Sequence, residues 1–240
     1  MNIIVINGTE QKGCTFAMKE LFLASIGDGY SITEYYLPHD CPVFCTGCKG
    51  CFSNNISICP HAKYTVPIWE SILAADLLVF ASPTYVFRLT AQMKALLDHF
   101  ATKWMAHSPE KALFTKQAVI ITNAIGQGMG KTARDIKVSL DFWGIARTFV
   151  IKQALFQPKW DLVPDKRKKA IQARCERVAL KIKVGKRVKP RFKIKALFSA
   201  MKIAHVMIDK SERKAGRERT KDYLHWKENG WLDGKKPWKG

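Results

Sequence analysis

The chain has 240 residues, of which 40 are lysine or arginine, 20 are acidic and 47% are hydrophobic. It can bury a full core, and no stretch reaches the roughly 18 apolar residues that a membrane-spanning helix needs. The apolar run at residues 3–6 is too short for a secretory signal peptide. We therefore expect a cytoplasmic protein whose seven cysteines are reduced.

The positive charge is concentrated in the C-terminal part of the chain. Up to Ile151 there are 13 basic and 11 acidic residues, a net charge of +2, whereas from Lys152 onward there are 27 and 9, a net charge of +18. Such an asymmetry indicates an acidic partner, such as a membrane surface, a nucleic acid or an acidic protein. Nucleic acid is disfavoured because no binding motif accompanies the charge.

Short β-branched runs alternate with helical patterns, which predicts parallel strands joined by crossover helices. The predicted strands are residues 2–6, 31–37, 76–82, 117–122 and 147–154, and the predicted helices are residues 14–25, 66–74, 90–105, 131–143 and 165–184. In the last helix, Asp165 is the expected N-cap and Gly185 the expected terminating glycine. Five such units predict a doubly wound α/β sheet of order 2-1-3-4-5, with a domain at residues 1–185 and a basic helical extension at residues 186–240.

Three loops that follow predicted strands suit a phosphorylated aromatic ligand. The first leads from Asn7 into a helix, and its glycines and free amides favour a phosphate, although an ordinary tight turn gives the same pattern. The second offers aromatic side chains that either stack on a flat ring or fill the core, and the third offers amide side chains to the ring's polar edge. The candidate cofactor-binding residues are Thr9, Gln11, Gly13, Cys14, Thr15, Ser82, Pro83, Thr84, Tyr85, Phe87, Thr122, Asn123, Gly126 and Gln127.

A cysteine loop at residues 41–60 carries the most specific chemical pattern in the chain. Its motif cysteines are Cys45, Cys48, Cys51 and Cys59. Two residues separate neighbouring members of the first three, and seven residues separate the third from the fourth. Three closely spaced thiolates with a more distant fourth suit a 4Fe–4S cluster. Structural zinc usually takes two separated cysteine pairs, and redox-active thiols without a metal are the other alternative.

Over roughly residues 1–184 the chain resembles the NADPH-dependent FMN reductase and iron–sulfur flavoprotein branch of the flavodoxin-like superfamily. The resemblance is carried by Asn7, Gly8 and Thr9 with Gly13, Cys14 and Thr15, by residues 82–85 with Lys94 and Asp98, by the glycine-rich loop near Gly126, and by residues 222–232. Where that family commonly has a proline and a cation, this chain has Glu10 and Gln11. A carboxylate beside a phosphate is unfavourable unless it points away.

The resemblance implies a flavodoxin-like fold that binds FMN in the three loops, with NAD(P)H as hydride donor and a cluster beside the flavin. It also implies a homo-oligomer and an electron acceptor that is a quinone, a flavin or a protein. The expected activity is NAD(P)H-dependent flavin oxidoreduction, with one-electron transfer through the 4Fe–4S cluster and no catalytic side chain. The alternatives are a non-catalytic electron carrier or redox-sensing module, and a scaffold recruited to a membrane or partner by the basic tail.

Residues 191–208 predict an amphipathic helix within that tail. Its apolar stripe consists of Ile194, Leu197, Phe198, Met201, Ala204, His205 and Ile208. Packing of this stripe on the protein's own domain or across a dimer is favoured, because helices of globular proteins bury such a stripe. Peripheral contact with an anionic membrane is the alternative.

Overall fold

The computed structural model describes residues 1–182 and 187–239. A five-stranded parallel sheet has the order β2-β1-β3-β4-β5. Its strands in chain order are β1 (Asn2–Asn7), β2 (Ser31–Tyr36), β3 (Leu77–Ala81), β4 (Gln117–Ala124) and β5 (Arg147–Ala154). The predicted doubly wound order is therefore confirmed, and the predicted strand bounds differ from the observed ones by no more than two residues.

The helices of the described residues flank the sheet and form the C-terminal extension. They are α1 (Cys14–Ile26), α2 (Gly50–Ser53), α3 (Ala62–Ala74), α4 (Ala91–His99), α5 (Met129–Trp143), α6 (Asp165–Ala179), α7 (Phe192–Lys214) and α8 (Lys221–Glu228). The predicted start of α3 at residue 66 was wrong by four residues, because the helix begins well before Pro67 and accommodates it.

Two further helices end at least five residues before the predicted bound. The helix expected to reach Met105 ends at His99, and the Met105 amide instead donates to the carbonyl of Phe142, 2.7 Å away, at the end of α5. The N-cap of α6 is Pro164, whereas Asp165, the predicted N-cap, lies in the first turn. The helix ends at Ala179. The predicted stop at Gly185 lies outside the described residues.

The core has one layer on each face of the sheet because neighbouring strand residues point to opposite faces. On one face, Ile4 and Ile6 pack with residues of α3, α4 and α5. On the other, Ile3 and Val5 pack with residues of α1 and α6. The doubly wound arrangement thus leaves the carboxyl ends of the strands free to carry loops.

The C-terminal extension packs against the sheet domain through a third apolar cluster. Phe198 of α7 and Trp226 of α8 are fully buried there, next to Met105 and Phe114. The indole Nε1 of Trp226 also donates to the carbonyl of His107 at 3.0 Å. Own-domain packing, favoured from the sequence for the apolar stripe of α7, is therefore confirmed for the stripe except Ile208, which is 48% exposed because it lies beyond the cluster. None of the described helices has the length and apolar composition needed to cross a bilayer.

Candidate functional site

A crevice of about 410 Å³ opens at the carboxyl ends of the strands. It lies where β1 and β3 are neighbours while the chain from β1 crosses to β2 on the other side, which is the position where doubly wound sheets bind ligands. Three predicted loops line it with these side chains and glycines: Thr9, Gln11, Gly13, Cys14, Thr15, Pro83, Thr84, Tyr85 and Asn123. The structure thus brings together most of the predicted cofactor-binding residues.

The start of α1 is an uncapped helix terminus facing this crevice. Gly13 is the N-cap and no side chain caps the helix there. The amides of Thr15 and Phe16 donate to no acceptor within residues 1–182 and 187–239, and a Cβ added at Gly13 would meet nothing within 4 Å. Free amides with a positive helix end and an open approach fit a phosphate group.

The carboxylate of Glu10 points away from that helix terminus. Its Oε1 accepts a hydrogen bond from the backbone amide of His39, 3.0 Å away, in the loop after β2. The neighbouring Gln11 amide donates to the hydroxyl of Thr9 at 3.2 Å, which closes a local turn. The unfavourable approach of Glu10 to a phosphate, anticipated from the sequence, is therefore avoided.

Hydrogen bonds join the three loops into one frame. The hydroxyl of Thr15 donates to the side-chain oxygen of Asn123, and the amide of Thr84 donates to the Asn123 carbonyl at 2.9 Å. Thr132 at the start of α5 donates to the hydroxyl of Thr84 at 3.0 Å. A ligand in the crevice would therefore meet side chains that are already oriented.

Five predicted cofactor-binding residues lie outside the crevice lining. Ser82 is fully buried, and its hydroxyl donates to the carbonyl of Pro83 and accepts from the amide of Thr90. Thr122 is also buried, with its hydroxyl 3.3 Å from that of Thr84. The remaining three residues are Phe87, Gly126 and Gln127, of which Phe87 packs over Gly128.

A fourth loop, after β5, completes the lining and was missed from the sequence. Gln157 and Pro158 contribute to it, and the Sγ of Cys14 lies 3.9 Å from the Pro158 carbonyl. The signal was present, because a fifth parallel strand must end at the same edge of the sheet. Burial raises the pKa of Cys14, with a smaller contribution from Asp161, so this thiol is neutral rather than a nucleophilic thiolate near pH 7.

A tight turn at the rim separates this crevice from a second, larger one. Tyr85 and Arg88 exchange backbone hydrogen bonds at 2.9 Å, and the residues between them, Val86 and Phe87, have φ values of 48° and 62°. Glycine and asparagine are the usual residues at such positions, so the turn is strained. The Val86 side chain, at the tip of this turn, is 92% exposed. Beyond it lies a mostly apolar groove of about 930 Å³ between α4 and α5, which Tyr85 also lines.

In the cysteine loop, Cys45 and Cys48 are exposed and Cys51 and Cys59 are half-buried. Burial raises the pKa of Cys51 first, and the neighbouring thiols of Cys59, Cys45 and Cys48 raise it further. Among the described residues, no three of these four sulfurs lie within 4.8 Å of one another. The 4Fe–4S cluster expected from the cysteine spacing therefore stays a prediction.

Cys59 also belongs to a second set of ligand atoms. Its sulfur and nitrogens of His61 and His99 all lie within 4.8 Å of one another. His61 Nδ1 is 2.9 Å from His99 Nε2, and His99 Nδ1 is 2.8 Å from the Ala95 carbonyl. A metal-bound histidine commonly donates its other ring N–H to a backbone carbonyl, so Cys59 belongs to two candidate metal sites. The two histidines are 38 residues apart in sequence, and no pattern signalled their contact.

Comparison with known proteins places these loops in a family. Residues 1–159 match the sequence model of the family described as NADPH-dependent FMN reductase, whereas no curated protein matches significantly. That match spans more than half of the chain and includes the first three loops of the crevice.

Several solved structures share the fold at low sequence identity. Azoreductase AzrA has 13% identity and a TM-score of 0.56, covering 76% of this chain and 100% of its own. An FMN-dependent NADH-azoreductase from Bacillus anthracis, solved with FMN, has 13% identity and a TM-score of 0.54, covering 75% and 100%. The NADH:FMN oxidoreductase EMOB has 18% identity and a TM-score of 0.53, covering 76% and 90%. The predicted flavodoxin-like fold is confirmed, and the chain belongs to the NADPH-dependent FMN reductase family of flavin oxidoreductases.

Proposed function

We propose that the crevice binds FMN with its phosphate on the N-terminus of α1. The observation that carries this proposal is the uncapped helix start at Gly13. The amides of Thr15 and Phe16 have no acceptor among the described residues, and a Cβ at Gly13 would meet no atom within 4 Å. Thr9 also lines the crevice, and the carboxylate of Glu10 is held away by the backbone amide of His39. The volume of the crevice, about 410 Å³, is within the range of small-molecule sites.

The second and third loops would hold the ring system. Thr84 and Asn123 are fixed by their mutual hydrogen bond and present polar groups to the crevice, while Pro83 and Tyr85 offer flat apolar surface. Bound FMN would supply hydride acceptance from NAD(P)H and transfer of the electrons to an acceptor. The side chains bind and orient, and the neutral thiol of Cys14 takes no part as a nucleophile.

The apolar groove beyond Tyr85 is the place we assign to the second substrate. Tyr85 lines both cavities, so a flat molecule in the groove would reach the ring end of the crevice. Leu89, Leu97 and Trp104 make the groove's walls apolar. We infer that an aromatic acceptor such as a quinone or a free flavin fits this groove better than a strongly charged one. A protein acceptor, homo-oligomer formation and a cytoplasmic location stay predictions.

Phosphate dependence tests the FMN site directly. Flavin-free protein titrated with FMN and with riboflavin, followed by quenching of flavin fluorescence, should bind FMN at least about 100-fold more tightly, because charge-assisted hydrogen bonds to the α1 amides are lost with the phosphate. Equal affinities for the two flavins would show that the phosphate lies elsewhere.

We also propose a 4Fe–4S cluster on Cys45, Cys48, Cys51 and Cys59. The spacing of these four cysteines within one loop supports it, and such a cluster would supply one-electron transfer. The alternative is a non-catalytic flavodoxin-like electron carrier or redox-sensing module, which would not turn over NAD(P)H. Steady-state oxidation of NADPH with a quinone acceptor separates the two, since a carrier would show no turnover.

A further inference from the structure

Helix α7 carries two apolar faces, of which only one is covered. The inner face is buried against the sheet domain and α8, with Ile194 3% and Phe198 0% exposed. His205 packs against Trp226 on the same side, with tilted rings whose centroids are 4.7 Å apart. A helix of a globular protein normally buries one apolar stripe against the core, and on α7 this inner face is that stripe.

The outer face forms a second row at helical spacing. Its members are Phe192, Ala196, Ala200, Ile203 and Met207, all of them exposed. Phe192 is 84%, Ile203 61% and Met207 65% exposed. A shallow groove of about 380 Å³, which Val138 and Phe142 of α5 line with Ala196 and Ala200, widens the apolar surface beside this row. Large apolar side chains repeated along one exposed face mark an interaction surface.

Positive charge surrounds the outer row. From Arg187 to Lys239 there are 16 basic and 6 acidic residues. Lys195 and Lys202 flank the row on one side, and Lys210 continues it toward the end of the helix. On the other side, Lys193 is paired with the buried carboxylate of Asp141 in α5, 2.6 Å away. The two acidic residues of α7 do not offset this charge, because Asp209 lies 3.3 Å from Arg219 and Glu212 pairs with Arg217.

We propose that the outer face of α7 binds an anionic lipid surface. The helix, at 23 residues, is about 34 Å long, so Phe192 and Met207 would enter the acyl boundary at well-separated points. The flanking lysines would bury their methylene stems and place their ammonium groups at lipid phosphates. A second copy of this chain is a poorer occupant, because two equally basic faces would repel each other.

The test uses the full-length protein and sedimentation with vesicles. We expect the wild type to bind vesicles of phosphatidylserine and phosphatidylcholine, to bind vesicles of phosphatidylcholine alone far less, and to lose binding as salt is raised. The double variant I203E/M207E should bind the anionic vesicles at least about tenfold more weakly, because it puts two charges into the inserted row.

A matched control separates this face from general charge effects. Leu180, 88% exposed at the end of α6, is also a large apolar residue on the surface, and L180E should bind anionic vesicles nearly as well as the wild type. Failure of the wild type to bind anionic vesicles overturns the proposal, as does undiminished binding of I203E/M207E. An acidic protein as the true occupant would appear as the first of these results. Flavin content measured in the same samples tests the proposed function separately.

Discussion

The Glu10 carboxylate accepts a hydrogen bond from the backbone amide of His39, 3.0 Å away. This contact turns the carboxylate toward the loop after β2, and the uncapped start of α1 at Gly13 is left without a competing anion. The relationship matters because Glu10 stands in the loop that must hold a phosphate. Backbone geometry, rather than the residue types of the loop, keeps the site suitable for an anion.

Replacing Gly13 by aspartate should separate helix stability from cofactor affinity. The φ of Gly13 is −91°, which any residue adopts, and a Cβ there meets no atom. Aspartate is a good N-cap, so G13D should stabilise α1 by a few tenths of a kcal/mol. Its carboxylate would occupy the phosphate's amides, and we expect FMN affinity to fall at least about 100-fold.

The control for G13D is E10Q, which removes a charge from the same loop outside the cradle. Flavin fluorescence titration should show less than about a threefold change for E10Q, because the exposed side chain is held toward His39 and exposed charges interact weakly. If G13D bound FMN as tightly as the wild type, the phosphate would not lie at the start of α1.

The strained turn between Tyr85 and Arg88 is expected to lower the stability of the protein while contributing to acceptor binding. Asparagine and glycine suit its two positive φ values, so V86N/F87G should raise the free energy of unfolding by about 1–3 kcal/mol. The same change removes exposed apolar surface beside the groove, so we expect a raised KM for a quinone and an unchanged affinity for FMN. An unchanged quinone KM would mean that the turn does not contact the acceptor.

A buried ion pair beneath the first loop should govern stability at acid pH. Lys19 has no exposed side-chain surface and lies 3.0 and 2.9 Å from the two carboxylate oxygens of Glu34, which also accepts from Asn7 and Tyr36. Burial alone would raise the pKa of Glu34, but Lys19, Asn7 and Tyr36 together hold it below its ordinary value. In the acid range the unfolded chain therefore binds more protons, so this stabilisation is present above the unfolded pKa and is lost as pH falls through the folded one.

The variant E34Q should cost about 2–3 kcal/mol at neutral pH, because it leaves Lys19 buried without its main partner. Glu20 also contacts Lys19 but is 51% exposed, so E20Q should cost less than about 1 kcal/mol. Urea unfolding at neutral and acid pH measures both, and the difference between E34Q and the wild type should shrink in acid. A cost for E34Q no larger than that for E20Q would contradict this assignment.

Metal content should distinguish the two ligand sets that share Cys59. With the proposed cluster, C45S should lose iron after anaerobic reconstitution, whereas H99Q should retain it, because His99 does not belong to the four-cysteine set. Iron and zinc are measured by elemental analysis on both variants and the wild type. A zinc-containing wild type whose metal is lost in H99Q but kept in C45S would assign the site to Cys59, His61 and His99 instead.

The sheet and the crevice follow from the sequence because they depend on local patterns. Buried parallel strands are continuous apolar runs, and their carboxyl ends share one edge, so loops far apart in sequence are expected to meet. The direction of a single side chain is not encoded in this way. Ser82 and Thr122 have residue types that suit a ligand, yet their hydroxyls turn inward and bond within the protein.

The C-terminal helix shows a different limit. Its inner stripe was visible as a 3.6-residue period, but the outer row from Phe192 to Met207 has the same period. Only the position of Trp226 and Trp231 against Phe198 decides which row is covered. The contact of His61 with His99 likewise depends on how α4 packs, which no short motif records.

Anaerobic titration of the FMN-loaded protein with NADPH tests the central claim most directly. If the crevice holds FMN in a family-typical reductase, the visible absorption bands of the bound flavin should bleach in proportion to the NADPH added and return when a quinone or oxygen is admitted. A protein that binds no FMN, or whose bound flavin is not reduced by either NADPH or NADH, would contradict the account.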